Sequence, residues 1–463
     1  MMEALPDELL LQICGHLSLP HNFTGFVGAG SFRDETAALS RLCRLSKRLQ
    51  PFAQRALYHY IPELSDDIRY RLLRTLVECP HLASLVRGMY LGYGSITGPQ
   101  LVSLFETARP RLNVPESLEQ KILAGVEHRA EGFDHAFILL LLPNLEQLEI
   151  ECFYETDFEM CDFVVETRAG ADGGPPAALA RLRELWLRHN DTEGTTRLKP
   201  RGLLTLPTLR TLRGWSVEWS METQQDQAEG SPERLDGHSS VEHIDFAWSL
   251  CNGNSLSSMM SRYPGLKMLS IEWGSATVGC DDDLDFTAIG DALRKYGSST
   301  LEGIKFDCRE AFMYEEGEST GRIGSLRELS KLKTLTLPHD ILVGEDDESD
   351  EDSDDEASNG SGLLQLDEVL PTSLEKLHLL SCEGDEGQLD DQIHKMIAGK
   401  KMSNLQKVIM ARRRTSFRHN VSEFGWVSYQ AWGKVILCTR AEYRPMSKKV
   451  EEWSLKHGMQ VQI

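Results

Sequence analysis

Leu332-Lys333-Thr334-Leu335-Thr336-Leu337 is the stretch that decides the fold. Leucine occupies its first, fourth and sixth positions, and the last two leucines flank a polar residue, as in a strand with one buried face. The same spacing of apolar residues recurs at intervals of 25 to 42 residues, in units that begin at Leu145, Leu182, Leu209, Val241, Leu266, Leu301, Leu332, Leu374 and Leu405. A repeat of this length indicates a solenoid.

Each unit combines a helix with a strand. Pro143, Pro207 and Pro264 each precede a strand and end a helix before it. Helices are predicted over 66–79, 116–129, 133–142, 285–295 and 389–398, so the fold class is α/β. The pattern resembles leucine-rich-repeat proteins, and that resemblance implies parallel strands on the concave face of the solenoid. An earlier unit, beginning at Leu82, is expected to join the array to the N-terminus.

The N-terminal segment predicts a small helical module. Pro6 suits the first turn of a helix because it lacks an N–H, and apolar residues follow it at helical spacing up to Leu17. A second helix is predicted over 36–49 and a third over 54–58. About sixty residues can hardly bury a self-sufficient core, so part of the apolar surface should belong to a partner or to the rest of the chain.

This module resembles an F-box. The resemblance rests on Leu5-Pro6, on Leu9-Leu10-x-x-Ile13 and on Leu42-Cys43-Arg44. Ser46 and Leu57-Tyr58 stand where many F-boxes carry tryptophan. The long glycine-containing link between the first two helices and the Leu-Cys-Arg-x-Ser run are similar to divergent fungal members of the family. The alternative is a helical cap that only shields the first repeat of the solenoid.

The F-box resemblance implies a partner, the Skp-type adaptor of a cullin-RING ubiquitin ligase. It divides the chain into an F-box-like helical domain over 1–64 and an irregular leucine-rich-repeat-like solenoid over 65–463. The residues that it assigns to adaptor binding are Leu5, Pro6, Leu9, Leu10, Ile13, Leu17, Leu42, Cys43 and Leu49.

The polar residues of the strands predict a second binding surface. Side chains between the last two apolar positions of each unit project from the face of the sheet opposite the core. Tryptophan and arginine are over-represented at binding hot spots, so the candidate substrate-binding residues are Trp186, Arg188, Arg213 and Trp215. The alternative is that irregular turns push the two tryptophans inward. Two further tryptophans have the parity of core residues and are predicted to pack inside, Trp248 and Trp273.

Composition sets limits on the partners. The 463 residues carry a net charge of −22, which would ordinarily indicate basic partners, but the main source of this charge is local. Ten carboxylates lie between Glu345 and Glu356, within a segment at about 344–362 that is predicted to be a disordered acidic loop. The ten cysteines form no C-x-x-C pair, as expected of free thiols in the cytoplasm or the nucleus. No nucleic-acid partner and no membrane partner are expected.

No motif in the chain indicates catalysis. The run from Asp281 to Asp285 is rich in carboxylates, but Phe286 and Ala292 stand where a calcium loop needs Gly and Glu. We therefore predict a helix start there, because carboxylates are favoured at a helix N-terminus. The chain is expected to be a binding protein without enzymatic activity and without a cofactor.

These features lead to one functional hypothesis and its alternatives. The F-box resemblance implies a substrate-recognition subunit of an SCF-type ubiquitin ligase, in which the helices bind the adaptor and the repeats bind an unknown target protein. The alternative is a leucine-rich-repeat scaffold, outside the ubiquitin system, that binds a basic or nuclear protein. A third hypothesis is an adaptor-bound protein that acts outside ubiquitylation.

Overall fold

A twelve-stranded parallel sheet runs through the described part of the chain. The computed structural model describes residues 5–17, 33–62, 64–92, 96, 99–112, 114–127, 132–152, 160–165, 179–189, 194–199, 201–219, 239–274, 283–310, 319–344, 364–380, 389, 391–393, 395–396, 402–410 and 460–462. Each of the nine predicted repeats contributes a strand to this sheet, and each strand pairs with that of the neighbouring repeat. The predicted α/β solenoid is therefore confirmed.

Helices and strands alternate along much of the chain. The α-helices with defined bounds are α1 (Asp7–His16), α2 (Arg33–Leu45), α3 (Gln50–Leu57), α4 (Asp66–Glu78), α5 (Pro80–Ala83), α6 (Pro99–Leu112), α7 (Glu116–Glu127), α8 (Phe133–Leu141), α9 (Gly253–Arg262), α10 (Phe286–Gly297), α11 (His339–Val343) and α12 (Leu366–Val369). Residues 160–165, 389, 391–393 and 395–396 are helical as well. The described strands are β1 (Tyr60–Ile61), β2 (Gly88–Leu91), β3 (Gln147–Cys152), β4 (Glu184–His189), β5 (Thr196–Leu198), β6 (Thr211–Trp215), β7 (Val217–Trp219), β8 (His243–Ser249), β9 (Met268–Gly274), β10 (Leu284–Asp285), β11 (Gly303–Glu310), β12 (Ser319–Thr320), β13 (Thr334–Pro338), β14 (Lys376–Leu380), β15 (Lys407–Met410) and β16 (Gln460–Gln462).

Sheet order follows chain order. The main sheet runs β1-β2-β3-β4-β6-β8-β9-β11-β13-β14-β15-β16, so each repeat packs beside the next. Strands β5 and β7 form a separate parallel pair, and β10 and β12 form another. Because neighbours in sequence are neighbours in space, the array grows in one dimension, as a solenoid does.

A repeated backbone contact fixes the register of the sheet. Where a strand begins, two consecutive N–H groups donate to one carbonyl oxygen of the preceding repeat. The amides of Lys333 and Thr334, for example, donate to Glu302 O over 2.8 and 3.1 Å. The carbonyls that accept two bonds in this way belong to His59, Arg87, Glu146, Arg183, Arg210, Glu242, Lys267, Glu302, Lys333 and Glu375.

Side chains at the same positions form ion pairs between repeats. Lys267 Nζ lies 2.6 Å from Glu242 Oε2, and Lys333 Nζ lies 2.9 Å from Glu302 Oε2. The hydrogen bond from Lys333 holds the pKa of Glu302 below its usual range. Pairs as exposed as these stabilise the fold little one by one. A register shift would separate the paired charges, so the pairs favour the observed alignment.

The apolar positions of the repeats merge into one core that extends from Ile61 to Val408. Leu332, Leu335 and Leu337 of the opening stretch are all buried in it. Burial of a leucine side chain contributes roughly 1.5–3 kcal/mol, so the alternating leucines hold each strand with one face inward.

Asp285, the last residue of the acidic run, caps helix α10, as predicted. The Asp285 carboxylate accepts hydrogen bonds from the backbone N–H groups of Thr287 and Ala288, at 2.9 and 3.0 Å. These amides have no hydrogen-bond partner within the helix, so the carboxylate satisfies them. Its negative charge also interacts favourably with the positive end of the helix dipole.

The first three helices enclose a small core of their own. Cys14, Leu39 and Ala53 are buried at its centre. Arg48 ties the start of α1 to the link between α2 and α3, because its Nη2 donates to Leu5 O over 2.7 Å and to Asp7 Oδ1 over 3.0 Å. The helical module is therefore a packed unit beside the solenoid core.

The helix bounds in this module differ from the prediction. Helix α2 spans Arg33–Leu45 instead of 36–49, and α3 spans Gln50–Leu57 instead of 54–58. The Ser46 hydroxyl accepts a hydrogen bond from the backbone N–H of Arg48, which favours a turn. Pro51 follows in the first turn of α3, where its missing N–H is harmless.

The junction between module and solenoid is a strand. Strand β1 lies inside the segment 1–64 and pairs with β2, so the sheet begins before residue 65. The predicted unit that begins at Leu82 is present: Leu82 is buried, Met89 and Leu91 are buried in β2, and Val86 is a further buried position. After Gly344, the predicted acidic loop lies outside the described residues.

We expect Leu335→Ala to destabilise the protein by about 2–5 kcal/mol, because it leaves a cavity in the middle of the core. Thr336→Ala, the next residue on the opposite face, is the matched control and should change stability by less than about 1 kcal/mol. Urea unfolding followed by circular dichroism measures both. Equal effects would contradict the assignment of the two faces.

Candidate protein-binding surfaces

Polar side chains line up across the sheet on the face opposite the core, called here the open face. The register places one residue of each repeat directly beside the next. The central row consists of Tyr90, Glu149, Trp186, Arg213, Asp245, Ser270, Lys305, Thr336, His378 and Ile409. Rows of this kind turn single residues of distant repeats into one surface.

The structure brings the four predicted substrate-binding residues together. Trp186 is paired in register with Arg213, and Arg188 with Trp215. All four side chains are half-buried. Irregular turns therefore do not push Trp186 and Trp215 into the core, and their role in binding stays a prediction.

Arg213 is held by its neighbours. Its guanidinium carbon lies 5.8 Å from the centroid of the Trp186 ring, and its Nε lies 3.3 Å from Glu184 Oε1. Gln147 also donates to Glu184, over 3.1 Å. A cation fixed between a ring and a carboxylate positions both groups, so Arg213 orders this part of the open face, and its role in binding stays a prediction.

Trp215 and Trp248 form a stacked pair. Their ring centroids are 5.7 Å apart and the ring planes differ by 12°. Trp248 is 8% exposed, so it is buried as its parity predicted, and its ring also lies against Trp215 of the open face. The register of β8 shifts between Phe246 and Ser249, and a bulge of this kind breaks the alternation of faces at Trp248.

Two backbone outliers accompany this pair. Ser216 has φ 51° and Trp248 has φ 54°, a left-handed conformation that is unfavourable for bulky residues. Hydrogen bonds hold the turn: Ser216 N donates to Ala247 O over 3.0 Å, and Val217 N donates to Ser249 Oγ over 3.2 Å. Such strain costs about 1–3 kcal/mol per residue and is often found at functional positions.

The other core tryptophan is confirmed. Trp273 is buried, its indole N–H donates to Cys251 O over 2.8 Å, and its ring meets Phe306 edge to face. It satisfies its polar atom internally and contributes packing, as its parity predicted.

Tyrosine–glutamate pairs occupy the N-terminal end of the open face. Tyr60 donates to Glu149 Oε2 over 3.4 Å and Tyr90 to Glu151 Oε2 over 2.6 Å. Burial raises the pKa of both phenols, and the neighbouring carboxylates raise it further. The Tyr60 ring lies over Gly88, where any Cβ would collide with it. This end of the face is therefore closed by its own side chains.

The centre of the open face is more accessible. Asp245 and Lys305 are exposed, and Ser270 lies between them in the same row. Met268 is 40% exposed, and its side chain lies over Gly303. Because Gly303 has no Cβ, it leaves room for the methionine side chain. An exposed methionine among polar residues is an adaptable contact for a partner.

The helical module presents a second surface. Leu9 is 43% exposed and Leu45 is 73% exposed, although both are large apolar residues. Among the predicted adaptor-binding residues, Pro6 is exposed, while those that are half-buried are Leu5, Ile13, Leu17, Leu42 and Cys43. Burial raises the pKa of the Cys43 thiol, and the nearby Cys14 adds to the effect.

Two predicted adaptor-binding residues are corrected by the structure. Leu10 is 1% exposed and Leu49 is 4% exposed, so both pack inside the protein and offer no surface to a partner. Helical geometry explains Leu10, because consecutive side chains of a helix point about 100° apart and only one of three neighbouring leucines can face the core.

Sequence reasoning missed two exposed leucines, Leu11 and Leu45. The signal for Leu11 was present in the run of three leucines at the start of α1, which is wider than the apolar stripe of one helix. Leu45 lies at the last position of α2, and its exposure depends on where that helix ends.

Comparison with known proteins gives little. No protein-family model matches the chain, and no curated protein matches it. Among solved structures, a chain from the crystal structure of the Rad7 and Elc1 complex in yeast aligns over 89% of this chain and 91% of that chain, with 13% identity and a TM-score of 0.25. A similarity as low as this supports no inference about the present chain.

Two further findings concern the described ranges alone. No group of three or more His, Cys, Asp or Glu side chains in them could hold a metal ion. Nor do they contain a helix both long enough and apolar enough to span a bilayer.

We expect Ser216→Gly to be more stable than Ser216→Ala by about 1 kcal/mol. Both variants remove the hydroxyl, which donates to Gly194 O, so the difference reports only the left-handed backbone. Thermal unfolding of the two variants side by side measures it. At an ordinary strand position the alanine variant is more stable than the glycine variant. If Ser216→Ala is the more stable of the two, the backbone strain at residue 216 is absent.

Proposed function

We propose that this protein is a substrate-recognition subunit of an SCF-type ubiquitin ligase. The N-terminal helices bind a Skp-type adaptor, and the open face of the solenoid binds the target protein. The observation that carries the proposal is the exposure of Leu9 and Leu45 on a module that also has the sequence pattern of an F-box.

The small core of the module supports adaptor binding. A core centred on Cys14, Leu39 and Ala53 leaves large apolar side chains outside it. Exposed leucines on a packed helical unit favour a protein partner, because contact with that partner removes them from water at roughly 25 cal/mol per Å².

The open face supports target binding. It offers tryptophan, arginine and an exposed methionine on a sheet whose register is fixed by backbone hydrogen bonds. Aromatic residues and arginine dominate binding energy at interfaces, and a rigid scaffold lowers the entropy lost when a partner binds.

Under this proposal the chain itself carries out no chemical step. It holds the target close to a ubiquitin-conjugating enzyme that the cullin complex recruits, which raises the effective concentration of the target lysine. No cofactor has a role in this function.

The test is a pull-down of the full chain by a purified Skp-type adaptor. We expect the double variant Leu9→Asp and Leu45→Asp to lose adaptor binding, because two carboxylates would be forced into an apolar contact at several kcal/mol. Both residues are exposed, so the variant should fold normally, and its circular dichroism spectrum checks this.

The matched control is Ile68→Asp. Ile68 is 51% exposed but lies on α4, outside the first three helices, so its variant should bind the adaptor like the wild type. If the wild-type chain does not bind the adaptor, the module is a solenoid cap and the scaffold hypothesis takes the place of the proposal.

A further inference from the structure

The pair of Trp215 and Trp248, called here the tryptophan platform, is an unusual feature of the open face. Trp248 adopts a left-handed backbone that a bulky side chain rarely tolerates, and its ring is stacked on Trp215. Ordinary core packing does not require this, since Trp273 packs one strand further on without such a backbone. A costly conformation that places a ring beside the open face suggests that the ring is used there.

The charged side chains around the platform differ in whether they are free to contact a ligand. Arg213, on the strand of Trp215, is already held by the Trp186 ring and by Glu184. Asp245, on the strand of Trp248, is exposed, and no described side chain forms a hydrogen bond or an ion pair with it. Arg188, in register with Trp215, is half-buried and lies in register with Glu151 on its other side. The exposed charge beside the platform is therefore the negative one of Asp245.

The distances suit a cationic ligand. Trp215 is paired in register with Ala247, and Asp245 lies two residues before Ala247 on the same face. Strand spacing and residue rise together separate Trp215 from Asp245 by about 8 Å between Cα atoms. A cation interacts with an aromatic ring within about 6 Å of the ring centroid and with a carboxylate within about 4 Å. One Lys or Arg head group placed between Trp215 and Asp245 can therefore contact both side chains at the same time.

We propose that the tryptophan platform and Asp245 form a seat for one basic side chain, Lys or Arg, of the target protein. The inference rests on the proposed function, since it names the kind of target that the open face selects. The half-buried ring of Trp215 contacts the cation, and the Asp245 carboxylate pairs with it. The net charge of −22 favours the approach of such a target from a distance.

The probe is a set of three pools of twelve-residue peptides. Each pool has one fixed central residue, Arg, Glu or Ala, among degenerate uncharged residues. Binding to the purified full chain is measured by fluorescence polarisation at about 0.15 M salt, where the Debye length of about 8 Å screens the distant charges of the chain. We expect the Arg pool to bind about tenfold more tightly than the Glu pool.

Asp245→Lys is the main variant, because an exposed residue can be changed without disturbing the fold. It should abolish the preference for the Arg pool and make the Glu pool the tighter ligand. Asp67→Lys is the matched control, since it changes the net charge equally but lies exposed on α4. It should leave the preference intact. Trp215→Leu should weaken the Arg pool and leave the Ala pool unchanged.

Three outcomes overturn the inference. They are equal binding of the Arg and Glu pools, no binding of any pool at about 1 mM peptide, and a preference for Arg that survives Asp245→Lys as it survives Asp67→Lys. Adaptor binding is measured on the same protein samples. If the wild-type chain binds the adaptor but shows no preference for the Arg pool, only this inference is wrong. If it prefers the Arg pool but does not bind the adaptor, only the proposed function is wrong.

Discussion

The shared carbonyl at the start of each strand is the contact on which the rest of the structure depends. Two successive N–H groups of one repeat donate to a single oxygen of the repeat before it, from His59 to Glu375. A shift of one residue would break both bonds and would also turn every apolar side chain of that strand to the wrong face. Backbone and side chains therefore specify the same register, and the rows of the open face follow from it.

This contact also explains how irregular repeats remain stackable. The units differ in length by up to 17 residues, since their starts are 25 to 42 residues apart. The ladder constrains only the strand and the residues just before it, so the connections between strands can vary in length at a small entropic cost. Each repeat packs only against the repeats next to it. Long insertions between strands can therefore be accommodated without loss of the core.

Sequence reasoning succeeded where periodicity controls structure. The alternation in Leu332–Leu337 and in the other units gave the strands, their faces and the adjacency of Trp186 and Arg213. It was incomplete where one residue breaks the period. Trp248 is buried as its parity predicted, but it lies in a bulge whose left-handed backbone is held by hydrogen bonds from Ser216 and Val217, and parity does not encode such contacts. Leu45 is exposed because α2 ends there, and helix ends depend on local hydrogen bonds such as that of Ser46.

The two candidate surfaces belong to separate cores. The core around Cys14, Leu39 and Ala53 is distinct from the solenoid core, which begins at Ile61. Leu9 and Leu45 lie on helices that enclose the first core, and the tryptophan platform lies on strands whose buried residues, such as Leu212 and Phe246, belong to the second. Coupling between sites is carried by packed networks that have two arrangements. The two cores are separate clusters that adjoin at the end of α3, where Leu57 packs on the first and Tyr58 on the second. We therefore expect binding at the module and binding at the open face to be coupled only weakly.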